Sequence, residues 1–145
     1  MEKAKKIGIG VGIGIGVIAF FFLAVIGQYY DDARMARLDS WYYYDEDRLT
    51  IAVILTNQNA DYTTANGHLE LIIKKGTSTV YSNGYDFTKN DFLSWQPLFG
   101  GGKITGYPIN IREYFSSGDY DVYVDMETKG GHYWEDLHDS FFSLE

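Results

Sequence analysis

The sequence predicts an all-β domain, a β-sandwich of about seven strands, preceded by one N-terminal transmembrane α-helix. Three observations carry that expectation. An apolar run of 20 residues without a charge, Ile7 to Ile26, stands near the start of the chain. The composition is aromatic, with 13 Tyr, 9 Phe and 3 Trp among 145 residues, and such side chains fill half-buried pleated surfaces. Beyond the apolar run, short alternating segments recur between turn signals every 8 to 12 residues or so, the spacing of sandwiches and barrels.

The apolar run is read as a helix because lipid overrides local preference. Its first half alternates Ile or Val with Gly, a period that alone would suggest a strand. A lone strand in hydrocarbon leaves its backbone polar groups unpaired, whereas a helix pairs them within the segment. Twenty residues at about 1.5 Å each reach across roughly 30 Å of hydrocarbon. Lys3, Lys5 and Lys6 precede the run, and Gln28, Tyr29, Tyr30, Asp31 and Asp32 follow it. Positive charge stays inside, so the N-terminus is expected in the cytoplasm and the C-terminal domain outside the cytoplasmic membrane. A cleavable signal peptide is the competing reading, but no A-x-A site follows the run, and Val25-Ile26-Gly27 at its end is a poor substitute. The expected organisation is a cytoplasmic tail over 1–6, a transmembrane helix over 7–27, a stalk over 28–38 that continues the helix, and an extracytoplasmic sandwich over 39–145. Gly8, Gly12 and Gly16 share one helix face, which would let a second helix approach closely and marks the helix as a candidate for homo-oligomer formation.

Strands are expected in this order. Ser40–Tyr44 and Leu49–Asn57 flank the turn Asp45-Glu46-Asp47 and open the domain as a hairpin, with Leu49, Ile51, Val53 and Leu55 on one face by the period of two. Residues 57–66 are polar and read as a loop. Gly67–Lys75 and Thr79–Phe87 form a second hairpin around Gly76-Thr77-Ser78. Asp91 to Trp95 supplies apolar anchors. Lys103–Ile111 resumes alternation, but Pro108 demotes it to an edge or a bulge. Asp119–Thr128 places Tyr120, Val122, Val124 and Met126 on one face, and His132–Leu144 is the last strand.

At Ser117-Gly118-Asp119-Tyr120-Asp121-Val122-Tyr123 the chain resembles the tyrosine-corner entry into the penultimate strand of immunoglobulin-like and fibronectin type III-like domains. That resemblance implies a Greek-key immunoglobulin-like sandwich with Tyr120 at the corner. The glycine- and isoleucine-rich anchor, the acidic Tyr-rich domain and the lack of cysteine together resemble archaeal cell-surface membrane proteins.

Charge and composition exclude some functions. Residues 31–145 carry 19 acidic against 9 basic side chains, a surface that repels nucleic-acid phosphates. Without cysteine there is no disulfide framework or thiolate chemistry. No cofactor is expected. His132, Asp136 and His138 would share a strand face and are candidate zinc or copper ligands, against the plainer reading of solvated strand residues. His68 reads as structural. Trp41, Tyr42, Tyr43 and Tyr44 are the candidate interaction residues, because a strand sends alternate rings to opposite faces. Either Trp41 with Tyr43 or Tyr42 with Tyr44 would remain outside the core as a patch near the membrane, usable for a protein partner or a sugar.

The functional expectation is a non-enzymatic structural or interaction subunit of a membrane or cell-surface complex. Its expected partners are the bilayer and another membrane or surface protein. The alternative is a surface binding module for carbohydrate or a metal ion.

Overall fold

Alternation of apolar and polar side chains produces strands throughout. The computed structural model describes residues 30–43, 45–97 and 100–144. The transmembrane helix expected over 7–27, with Gly8, Gly12 and Gly16, lies outside them. Among the described residues no helix is long and apolar enough to cross a membrane.

Nine strands are formed among the described residues: β1 (Met35–Tyr43), β2 (Arg48–Thr56), β3 (Tyr62–Thr63), β4 (Gly67–Lys75), β5 (Ser78–Phe87), β6 (Leu93–Trp95), β7 (Ile104–Ile111), β8 (Gly118–Thr128) and β9 (Tyr133–Ser143). They build two antiparallel sheets stacked as a sandwich, one in the order β1-β2-β7-β6 with β3 beside β2, the other in the order β5-β4-β8-β9. Leu49, Ile51, Val53 and Leu55 from β2 face Leu69, Leu71 and Ile73 from β4 and Val122, Val124 and Met126 from β8 in one core. Each of these side chains is fully buried, and each contributes about 1.5–3 kcal/mol relative to exposure.

Three expectations change. The segment expected to continue the helix as a stalk is part of the sandwich: Asp31 and Ala33 are buried, and Met35 already begins β1. The reason is a period of two in which Leu38 and Tyr42 turn to the core, while Met35 and Arg37 face solvent. The polar loop at 57–66 contains the short β3, and the apolar anchors after Asp91 form β6. Finally, β7 lies inside its sheet despite Pro108. Its pairing with β6 covers only Ile104 to Gly106, while Pro108 is opposite Ala52 of β2, so the missing N–H falls where no strand flanks the β6 side.

One lateral edge of the sandwich is closed. Ser40 of β1 donates to Asp139 of β9 over 2.7 Å, and the rings of Tyr42 and Phe141 lie 6.1 Å apart. Around this seam Phe115 meets Tyr42 at 5.4 Å and Phe141 at 5.3 Å, edge to face, while Tyr120 stacks on Phe141 at 4.9 Å. The Tyr120 hydroxyl donates to the Ser116 carbonyl over 2.6 Å, the tie expected of a tyrosine at the strand entry.

Candidate functional site

The β1-β2 register decides which aromatic rings leave the core. Trp41 lies opposite Thr50 and Tyr43 opposite Arg48, and both rings stand on the outer face of the sheet. Tyr42 points the other way, its hydroxyl accepting from the Phe115 N–H over 3.1 Å. Burial first, with the nearby Asp47 charge, raises its phenol above the ordinary value of 10 and keeps it neutral. Of the two alternatives open in the sequence, the pair Trp41 and Tyr43 is therefore the outward one, and Tyr44 lies outside the described residues. The patch is not next to residue 30. From Met35, β1 runs eight residues to Tyr43, about 25 Å at roughly 3.3 Å per residue.

Small residues in the middle of this face turn the patch into a cleft. Ala52 lies opposite Pro108 and Thr50 opposite Asn110, making a low floor between taller walls. Trp95 of β6 supplies the second indole, its centroid 6.4 Å from that of Trp41 at an interplanar angle of 57°. The indole rests over Gly106, where an added Cβ would come within 3.2 Å of Trp95 and 2.9 Å of the Val53 carbonyl. Trp41, Tyr43, Arg48, Trp95 and Asn110 line a cleft of about 250 Å³.

Its walls are fixed by their own polar contacts. The Trp41 indole N–H donates to the Tyr43 hydroxyl. The Arg48 guanidinium lies 4.1 Å from the centre of the Tyr43 ring and 3.5 Å from the Glu46 carboxylate. Arg48 Nη1 also donates to Thr50 Oγ1 over 3.0 Å, and Thr50 Oγ1 donates to Asn110 Oδ1 over 2.7 Å. Sequence reasoning named Trp41, Tyr42, Tyr43 and Tyr44 without choosing between the two pairs, and it missed Trp95 and Asn110. The available signal was the alternation Gly106-Pro108-Asn110 beside Thr50 and Ala52, small residues that leave room between large ones.

The outer face of the other sheet is charged instead. His68 of β4 is opposite Asp86 of β5 and Glu127 of β8. Its Nδ1 lies 2.7 Å from Asp86 and its Nε2 2.5 Å from Glu70. Desolvation of the half-buried ring opposes its charge, but the hydrogen bonds to Asp86 and Glu70 outweigh it and raise the imidazole above 6.5. Burial also raises the neighbouring Glu127 carboxyl.

The expected metal candidates are not brought together. Opposite Asp125 of β8, between the pairs Val124–Leu137 and Met126–Trp134, β9 carries two residues and bulges, which puts Asp136 into a left-handed conformation at φ 57° with its N–H donating to Asp125. Strand parity shifts there, so that Trp134 and Leu137, three apart, both pack on the core. His138 consequently faces outward, with Nε2 2.9 Å from Asp121. His132 sits at the other end of β9, where its Nδ1 is 2.7 Å from the fully buried Asp31 side chain, at an angle too poor for an aligned hydrogen bond. Its Nε2 lies 3.1 Å from Arg34 Nη1. Among the described residues, no group of three or more His, Cys, Asp or Glu is placed to hold a metal ion.

No family model matches this chain, and comparison with curated proteins finds no match.

The two outer faces therefore offer different chemistry from one scaffold. The charged face consists of ion pairs that satisfy one another. The aromatic cleft holds tilted rings tied by polar contacts at its margin, the composition that dominates binding surfaces.

Proposed function

We propose that this chain is a single-pass membrane protein whose extracytoplasmic domain is an immunoglobulin-like Greek-key sandwich acting as a non-enzymatic interaction subunit. The strand orders β1-β2-β7-β6 and β5-β4-β8-β9 correspond to A-B-E-D and C′-C-F-G of that fold, and the Tyr120 tie to Ser116 supports the same assignment. The apolar run at 7–27, flanked by lysines on one side and Asp31 and Asp32 on the other, supports an uncleaved anchor with its N-terminus in the cytoplasm. Gly8, Gly12 and Gly16 are the proposed helix-packing face.

The observation that carries the interaction reading is the cleft walled by Trp41, Tyr43 and Trp95. Fixed aromatic side chains on an outer sheet face supply large contact area at low entropic cost. Affinity purification of the full chain from membranes in mild detergent is expected to recover a stoichiometric protein partner that Trp41→Ala loses. Purification as a lone protein under several such detergents overturns this reading.

A further inference from the structure

Resting on the reading of this domain as a surface interaction module, we propose that the cleft between Trp41 and Trp95 binds a single neutral pyranose ring of a glycan. The first argument is shape. Two indoles meeting at 57° form an angled platform, and the negative faces of such rings attract the polarised C–H groups on a sugar's apolar side. Ala52 and Pro108 form the low floor below them.

Hydrogen bonding gives the second argument. A guanidinium can only donate, so the 3.4 Å contact from Arg48 Nη1 identifies the Asn110 atom facing it as the carbonyl oxygen. Thr50 donates to the same oxygen. The Asn110 amide N–H₂ is thereby turned away from the Arg48-Thr50 pair. It has no hydrogen-bond partner among the described residues and stands at the exposed margin of the cleft. The relay from Arg48 through Thr50 polarises that amide, leaving two donors for a sugar hydroxyl or acetamido oxygen.

Charge and size select the ligand. Arg48 is the one basic side chain lining the cleft, and it is already engaged by Glu46 and the Tyr43 ring. In a domain with 19 acidic and 9 basic residues over 31–145, an anionic sugar gains nothing. A proline-rich peptide also packs on aromatic rings, but it presents its repeat every three residues, about 9 Å, and needs successive slots. One cleft of about 250 Å³, below the roughly 300 Å³ where drug-sized pockets begin, provides a single slot. Fixed walls reduce the ordering cost on binding.

The test uses the full chain in a zwitterionic, sugar-free detergent, titrated with chitotriose, cellotriose and mannotriose while tryptophan emission is followed. At least one of these sugars is expected to give a saturable change that trigalacturonate does not. Trp41→Ala and Trp95→Ala should each weaken that binding at least about ten-fold. Asn110→Asp, which replaces the donors with acceptors at an exposed position, should weaken it about ten-fold with an unchanged urea midpoint. The proposal is overturned by the absence of a saturable response to all three sugars, by unchanged affinity in the Asn110 variant, or by hexaproline binding that depends on Trp41 while sugars do not bind. If sugars fail while Trp41→Ala still loses a protein partner, the sugar assignment falls and the interaction reading survives. If a sugar binds and no protein partner is recovered, the sugar assignment stands alone.

Discussion

The outer faces of the two sheets come from the same strand alternation, yet one presents fixed aromatic rings and the other a lattice of ion pairs. On the β1-β2-β7-β6 face, Trp41 and Trp95 stand above Ala52 and Gly106, so large neighbours enclose small ones. On the β5-β4-β8-β9 face, His68 lies between Asp86 and Glu70, and Lys74 approaches the Tyr123 ring at 5.8 Å. Exposed ion pairs of this kind contribute little to stability, about 0–1 kcal/mol each. Around His68 and His138 these groups pair with one another. A sheet face becomes a site when side-chain size varies across it, and charge variation alone does not achieve this.

The comparison can be broken first through the core that both faces share. Leu71→Ala in β4, a fully buried position, should lower stability by about 2–5 kcal/mol in urea unfolding and loosen both faces together. A cost under about 1 kcal/mol would mean that the sheets do not share one core.

Adjacent residues of β1 sharpen the contrast between inside and outside. Tyr42→Ala removes a ring packed on Phe115 and Phe141 and should cost about 3 kcal/mol, whereas Trp41→Ala should cost under about 1 kcal/mol. Equal costs would show that the assigned parity of β1 is wrong.

A smaller effect is expected at the strand entry. Tyr120→Phe keeps the ring stacked on Phe141 and deletes the hydroxyl that bonds Ser116, at a cost of about 1 kcal/mol. An unchanged urea midpoint would remove the corner from the list of stabilising contacts.

The smallest effect belongs to the charged face. His68 has its folded pKa raised above 6.5, so its contribution is fully present below about pH 6.5 and is lost as pH rises through the folded value. Wild type should exceed His68→Gln in urea midpoint at pH 5.5, by under about 1 kcal/mol because the pair is exposed. The gap should close by pH 8.5, and a constant gap would sink the ion-pair account.

Much of the fold was legible because period-two alternation is a local signal. Gly67–Lys75 forms β4 over the expected span, and Tyr120, Val122, Val124 and Met126 are all buried as their alternation predicts. Residues 31–38 misled because Ala33-Arg34-Met35-Ala36-Arg37-Leu38 are all good helix formers and lie close to an apolar run. Burial of Ala33 and Leu38 against the sandwich outweighed that propensity. Of the cleft, Trp41 and Tyr43 were legible only as one of two possible outward pairs. Trp95 and Asn110 were not, since they lie far along the chain and reach the site only through the β2-β7 and β6-β7 pairings. The shared face suggested for His132, Asp136 and His138 does not form for a similar reason, because counting positions along His132–His138 cannot anticipate a bulge in the paired strands.

By itself the sequence determined the all-β class, the acidic surface and the faces of the long strands, because each depends on composition or on neighbours two residues away. Tertiary structure alone decided which aromatic residues meet and which histidines part. Those outcomes depend on strand order and register, and these are fixed by how the two sheets bury one another's apolar faces.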